Sequence, residues 1–228
     1  MHTLIDRYVR PESLTAGLAA DLRGRGIEVR EGVAVTGMSA HGTGVRVLTD
    51  DGPLAADRVV VAAGPSSRPM LAALGVRVPL VGARGYSVTI PGGAVRPRHA
   101  LYLAEAKVGI SSYEDAVRIA GVFELGHDSD ALDRRRLAAM IADCEPYFGS
   151  WRPAAERAET EWAGLRPMTA DGLPLIGRAP AADNVFLATG HGMLGVTLAP
   201  ATAALLAPLV LDGVEAPELE PFRPGRRI

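Results

Sequence analysis

The residues best suited to chemistry stand where apolar runs meet glycine. Asn184-Val185-Phe186-Leu187-Ala188-Thr189 runs straight into Gly190-His191-Gly192-Met193-Leu194-Gly195, ahead of a small-residue helix expected over residues 197–212. A strand, a glycine-rich bend and a helix in that order present backbone N–H groups at a helix N-terminus, which favour an anion or a polarised carbonyl. The glycines also let a flat ring approach the backbone, although a tight structural turn needs them equally. His191 is a candidate base, yet no carboxylate or second ligand stands at helical spacing from it, and no metal site is expected. Asp57-Arg58-Val59-Val60-Val61-Ala62-Ala63-Gly64 is a second apolar run into glycine, the pattern of a buried parallel strand ending at a ligand-facing edge. The single cysteine, Cys144, lies between Asp143 and Glu145. With no cation beside it to lower its pKa it is expected to be half-buried and structural, and the lack of a disulfide framework fits a reducing compartment.

Elements that could hold these bends are legible along the chain. Leu14, Leu18 and Leu22 recur at four-residue spacing after Arg10-Pro11, predicting an amphipathic helix stopped by Gly26 and followed by a short strand Ile27-Glu28-Val29. Val33/Val35 and Val45/Val47 alternate as strands, with turns at His41-Gly42-Thr43-Gly44 and Asp50-Asp51-Gly52. The middle of the chain differs. Tyr86-Ser87-Val88-Thr89-Ile90 and residues 100–103, 107–111 and 117–123 are strand-like, residues 131–144 form an amphipathic helix, and Trp151-Arg152-Pro153 begins a loop. A mostly antiparallel sheet with a helix packed on it is the natural reading. Two α/β segments thus flank a β-rich one, the layout of a discontinuous domain with a second domain inserted.

Composition narrows the function classes. Of the 228 residues, 48% are hydrophobic and 22% charged, and the formal net charge is −2. No Lys/Arg cluster is dense enough for a nucleic-acid footprint; Arg134-Arg135-Arg136 reads as a solvated helix face and Arg226-Arg227 as a loose tail. Nothing reads as a secretory signal, and the longest apolar stretch, residues 196–211, contains Pro200 and Pro208 and reads as too short to span a bilayer.

The stretch Trp162-Ala163-Gly164-Leu165-Arg166-Pro167-Met168-Thr169-Ala170-Asp171-Gly172-Leu173-Pro174-Leu175-Ile176-Gly177, followed by Asn184 to Thr189 and Gly190-His191-Gly192, resembles the C-terminal signature of the D-amino-acid oxidase-like flavoenzymes. Within that superfamily, Arg84-Gly85-Tyr86-Ser87-Val88-Thr89-Ile90-Pro91 and Glu105-Ala106-Lys107-Val108-Gly109-Ile110 look most like D-amino-acid dehydrogenase of the small-subunit type, with glycine and sarcosine oxidases as the alternative. The resemblance implies an α/β fold, α+β overall: an incomplete FAD-binding Rossmann-like domain (residues 1–75 and 161–228) with an inserted antiparallel β-sheet substrate domain (residues 76–160). It implies FAD as cofactor and an amino acid as substrate. Val35 would offer its backbone to the adenine, and Ala62, Ala63 and Gly64 would lie near the dinucleotide. Gly190, His191, Gly192, Met193, Leu194, Gly195, Val196 and Thr197 would bind the cofactor, with backbone groups from His191 to Val196 facing the pyrimidine side of the isoalloxazine. Arg166 matches the arginine that grips the substrate carboxylate, with a salt bridge to Asp171 or Glu161 as the plain alternative. Tyr86 is a candidate pocket residue and equally a core tyrosine.

The resemblance also carries a departure. The family opens with a strand, a G-x-G-x-x-G turn and a helix, whereas residues 1–8 are too short for that element and Gly24-Arg25-Gly26 follows a helix. The expectation is a truncated product, a split enzyme with a separate nucleotide-binding chain, or a late start. Cofactor binding would be incomplete without that segment, and an open sheet edge would self-associate or take a partner. A non-catalytic remnant or partner subunit is the rival of another class. The implied location is cytoplasmic, at most peripheral to the inner membrane.

Overall fold

The structure is a computed structural model that describes residues 7–42, 44–91, 97–148, 158, 160–180 and 182–227. The expected loop at Trp151-Arg152-Pro153, and Thr43 in the first turn, lie outside them. The chain forms two compact units, Met1–Val29 with Arg84–Leu165, and Arg30–Ala83 with Arg166–Ile228.

The second of these units carries the glycine bends. An antiparallel meander of β1 (Val35–His41), β2 (Gly44–Thr49) and β3 (Gly52–Ala56) leads to β4 (Val59–Val61), the short helix α2 (Ser67–Ala72) and a final sheet. That sheet has the order β10-β11-β4, where β10 (Leu175–Ala179) is antiparallel to β11 (Ala182–Thr189) and β11 is parallel to β4, with Val185 opposite Val59 and Leu187 opposite Val61. The continuous apolar run of β11 follows from burial on both faces. Val185 and Leu187 join Met38, Val45, Val61 and Leu71 in one core, while Phe186 packs with Leu206, Leu209 and Leu219 in another. The second core lies under α5 (Gly195–Asp212) and a 3₁₀ turn at Pro217–Phe222.

The ends of this unit depart from expectation in two ways. Arg226 is no loose tail: its guanidinium pairs with Asp171 and donates to three backbone carbonyls. The helical run Gly192–Asp212 has 21 residues, longer than the 196–211 stretch, and by length and composition alone could cross a membrane. Most of it is exposed, and it keeps Pro200 and Pro208 inside the helix.

The other unit is built on a five-stranded sheet of order β6-β7-β8-β5-β9, comprising β5 (Val81–Pro91), β6 (Leu101–Leu103), β7 (Val108–Ser112), β8 (Ala116–Leu125) and β9 (Thr160–Met168). Tyr86, Val88 and Ile90 alternate onto the face that meets Leu137, Met140 and Cys144; these last lie on and just after α3 (Arg134–Ala142), ahead of the short α4 (Glu145–Phe148). The Asp133 side chain caps α3 by accepting from the N–H of Arg135 and Arg136 at 2.9 and 3.3 Å. Arg134, Arg135 and Arg136 are exposed, as expected of a solvated face, and Arg134 lies 3.3 Å from Glu161 and Arg136 3.0 Å from Glu124.

The helix α1 (Pro11–Gly24) groups with this β-rich unit, tied by Glu12 to Arg118 at 2.8 Å and by Arg10 to Asp115. Its leucine stripe forms as the spacing predicts, yet no residue of the helix is buried. The strand expected at Ile27-Glu28-Val29 does not form. Gly26 takes a positive φ of 79° and closes α1, so that its N–H bonds Arg23 O and the Ile27 N–H bonds Leu22 O, each at 3.0 Å. That double closure uses the donor a strand partner would need.

Candidate functional site

Because β4 and β11 are parallel neighbours, their carboxyl ends fall side by side, the edge at which open parallel sheets receive ligands. Each strand leaves that edge through a glycine at positive φ, Gly64 at 55° and Gly190 at 78°, where a side chain would be strained. The two bends are tied together. The Thr189 hydroxyl donates to the Gly64 carbonyl at 3.0 Å and lies 3.3 Å from the Ser67 hydroxyl, and both side chains are buried. Neither residue was a candidate from sequence. Their only signal is a hydroxyl closing an otherwise apolar strand and another three residues after a glycine bend.

The two glycines differ in what surrounds them. A Cβ at Gly190 would stand 3.0 Å from Thr169 Cγ2 and 3.4 Å from the Leu175 backbone nitrogen, whereas a Cβ at Gly64 would meet nothing within 4 Å. Gly190→Ala therefore adds crowding to backbone strain and is expected to cost about 2–4 kcal/mol, against about 1–2 kcal/mol for Gly64→Ala, which adds strain alone. Urea unfolding with an unchanged slope measures both; equal losses would show that close packing at Gly190 is not what demands glycine there.

Beyond Gly190 the chain makes a 3₁₀ turn over Gly192–Leu194 and enters α5 at Gly195. The start of α5 has no side-chain cap and no acidic residue in its first turn, which holds Val196 and Thr197. Its leading N–H groups and the positive end of its dipole are thus left for an anion or a polarised acceptor. Met193, Leu194 and Val196 are exposed by 69, 54 and 52%, an apolar surface beside those donors. Gly190, Gly192 and Gly195 also carry the G-x-G-x-x-G spacing, between a strand and a helix, so the spacing not found at the start of the chain occurs here. Among the described residues α5 is followed by the 3₁₀ turn and not by the second strand with an acidic residue that completes that fingerprint.

His191 is partly buried, and its Nε2 lies 3.0 Å from the Thr202 hydroxyl on α5. Burial pushes its pKa down, so the imidazole is neutral at neutral pH. Ala62 is exposed and Ala63 partly buried just past β4, adjoining Gly64. Val35 heads β1 in the separate meander, opposite Thr49 and exposed. Arg166 is partly buried near the end of β9, and burial lowers its pKa without removing its charge. Of its two expected bridge partners, Asp171 is gripped by Arg226 at 2.8 Å and Glu161 lies 3.3 Å from Arg134.

Tyr86 sits in the β-rich unit, 1% exposed, and its hydroxyl donates to Glu124 Oε2 at 3.0 Å. Burial, with that carboxylate beside it, pushes its pKa up. Cys144 is fully buried, more deeply than expected, with Sγ 3.4 Å from the Met140 carbonyl and a pKa pushed up to about 11 by burial. It is an inert thiol at neutral pH. Among the described residues no group of His, Cys, Asp and Glu could hold a metal.

Comparison with known proteins agrees with this arrangement. The family described as FAD dependent oxidoreductase matches residues 1–209. D-amino acid dehydrogenase of Cereibacter sphaeroides is 37% identical over 210 residues, 90% of this chain and 47% of the relative. That of Chromohalobacter salexigens is 38% identical over 205 residues, 86% of this chain and 46% of the relative. The chain spans about half the length of these curated relatives. Among solved structures, glycine oxidase from Geobacillus kaustophilus is similar with a TM-score of 0.80 at 26% identity, over 94% of this chain and 58% of that one. L-proline dehydrogenase from P. horikoshii shares the fold, with a TM-score of 0.79 at 19% identity, over 94% of this chain and 59% of that one. Parallel strand ends closed by glycine, an uncapped helix start and a family match over nearly the whole length agree: the chain belongs to the FAD dependent oxidoreductase family.

Proposed function

We propose that these residues form the substrate-binding part and the flavin-ring part of an enzyme that oxidises the C–N bond of a D-amino acid. The observation that carries the reading is the uncapped start of α5 beside two glycine bends and exposed apolar side chains. Those features fit the ring end of FAD. Backbone N–H groups in the first turn of α5, those of Val196 and Thr197 among them, would face the pyrimidine edge, where the dipole of α5 favours negative charge. Gly64, where a Cβ would meet nothing within 4 Å, would leave room for a flat ring, and Met193 and Val196 would cover apolar surface. Val35, Ala62 and Ala63 belong to the dinucleotide side of the same reading. Bound there, the flavin supplies the acceptor for the hydride leaving the substrate α-carbon.

The chain's own residues bind and orient. The Arg166 guanidinium offers a planar fork to the substrate carboxylate, and Tyr86 would act only through the Glu124 network that holds it. The imino acid product then takes up water to give the 2-oxo acid and ammonia. Greater likeness to D-amino acid dehydrogenases, 37–38% identical, than to the glycine oxidase, 26% identical, favours this reading over a glycine- or sarcosine-type oxidase. The test is electron flow in the assembled protein. Reduction of an artificial quinone acceptor by D-amino acids without oxygen consumption supports the dehydrogenase; oxygen uptake with glycine or sarcosine overturns it.

The nucleotide end of FAD belongs, on this reading, to a strand–turn–helix outside these residues, on a separate chain or elsewhere in the same protein. It would pair with the open edge of β4, where Val60 is exposed, and cover the apolar side of α5. A cytoplasmic protein passing electrons to a membrane quinone, peripheral to the inner membrane at most, is the matching location. Left uncovered, such an edge joins another copy. The chain alone is therefore expected to rise in apparent mass with concentration by light scattering, and adding the complementary half should reverse the rise. A monodisperse monomer at high concentration would contradict the open edge.

A further inference from the structure

Arg226 spends most of its donor set on one turn. Nε bonds Asp171 Oδ2 at 2.8 Å, Nη2 bonds Asp171 Oδ1 at 3.0 Å and the Leu173 carbonyl at 2.7 Å, and Nη1 bonds the Pro174 and Arg223 carbonyls at 3.0 and 3.3 Å. All five N–H groups of the guanidinium are thereby used, and four of the five bonds reach residues 171–174. The turn has its own closures as well. Asp171 Oδ1 accepts from the Leu173 N–H at 3.0 Å, and the Thr169 hydroxyl donates to the Leu173 carbonyl at 2.7 Å. The Arg226 cation holds the Asp171 carboxyl far below the ordinary carboxylate range, so the pair stays ionised.

The other side of this turn is the wall of the glycine bend. The bare Cα of Gly190 faces Thr169 and the Leu175 backbone, and that of Gly192 faces Met168, with a Cβ on Gly192 standing 3.1 Å from Met168 Sδ. Glycines at positive φ have wide conformational freedom and no side chain to anchor them. What fixes their path is what they lie against.

We propose that Arg226 is a positioning residue for the Gly190–Gly195 bend, acting through the Asp171 turn, and that the last described segment of the chain thereby sets the aim of the backbone N–H groups at the start of α5. Its importance for catalysis rests on the reading of that bend as the seat of the flavin ring. The contact chain itself is tested without flavin, so the two can fail separately. A merely structural Arg226 would stabilise the whole unit evenly; a positioning Arg226 acts on the bend.

Hydrogen exchange and the His191 ring signals distinguish these in the full chain, in whichever assembly it is purified. Arg226→Ala is expected to speed exchange about tenfold at the Leu194 amide, which donates to the His191 carbonyl at 2.9 Å, while β1 and β2 stay within about twofold. The His191 Nε2 signal, set by Thr202 at 3.0 Å, should move as well. Arg226→Lys should recover part of the protection at most, since one ammonium cannot span the carboxylate and two carbonyls. Arg223→Ala is the control, because its side chain pairs with Glu215 and Glu220 and not with the turn. Should Arg226→Ala not fold, Asp171→Asn keeps the acceptor for Leu173 and weakens only the ion pair, and should show the same local pattern to a smaller degree. Uniform loss of protection across the unit, or an unchanged Leu194 amide and His191 signal in the folded variants, overturns the proposal.

Discussion

Purified alone, the 228-residue chain is expected to be colourless, and to take up yellow flavin in stoichiometric amount once a strand–turn–helix half is supplied. The argument is one of halves. FAD has a ring end and a nucleotide end, and on the proposed reading the start of α5 serves the first. The G-x-G-x-x-G spacing at 190–195 opens α5, but among the described residues α5 leads to the 3₁₀ turn at Pro217–Phe222 and not to a strand that could bring an acidic residue to a ribose. Losing two or three charge-assisted hydrogen bonds to the pyrophosphate, about 1.5–3 kcal/mol each, weakens binding by about a hundredfold or more. Flavin would then be lost on a column. Absorbance of the purified chain, before and after mixing with the complementary half, measures this directly. A stoichiometric yellow protein from the chain alone would show that one glycine bend suffices. Uptake of flavin without any change in the exposed face of α5 would place the added half elsewhere.

The ends of the α/β strands were legible because burial on two faces leaves a distinctive trace. Val185 to Ala188 is an unbroken apolar run, and the structure puts Val185 and Phe186 into different cores on opposite faces of one sheet. The run from Val59 to Gly64 begins instead on the edge strand β4, and it buries Val61 but exposes Val60. The meander was legible for the opposite reason, since its strands alternate and bury one face. Ile27-Glu28-Val29 shows the limit of short patterns. Three residues of strand character say nothing about whether a neighbour exists, and the close of α1 took the Ile27 donor first. Long-range polar pairs left little trace. Thr189 with Ser67, and Arg226 with Asp171, join residues far apart in sequence through hydroxyls and charges that any surface could carry. An arginine near the last residue looks like a loose tail until its partner is seen. The functional reading of Arg166 likewise came from the run of residues around it. Its partly buried place in β9 is what the structure adds.

Replacing Arg166 by lysine should lower kcat/KM for the amino acid by roughly ten- to a hundredfold in the assembled enzyme, equivalent to about 1.5–3 kcal/mol for a charge-assisted hydrogen bond to a buried carboxylate. Lysine keeps the charge and loses the fork, so the loss measures geometry and not simple attraction. Pro167 restricts Arg166 to extended backbone, as β9 requires, which holds the direction in which the side chain leaves the strand. Burial already lowers the pKa of the guanidinium, so a carboxylate docking against it would offset a desolvation that the folded chain has incurred. Lysine at the same place keeps its charge less readily, and the deficit should grow as pH rises toward the lowered ammonium pKa. Flavin content and melting temperature should stay near wild type, because lysine keeps a cation at the same place on β9. An amino amide, which has no carboxylate charge, should be a poor substrate for the wild type and nearly indifferent to the substitution. An unchanged kcat/KM for the amino acid would remove Arg166 from the substrate's binding site. A loss of flavin or of thermal stability in its place would make it a structural cation.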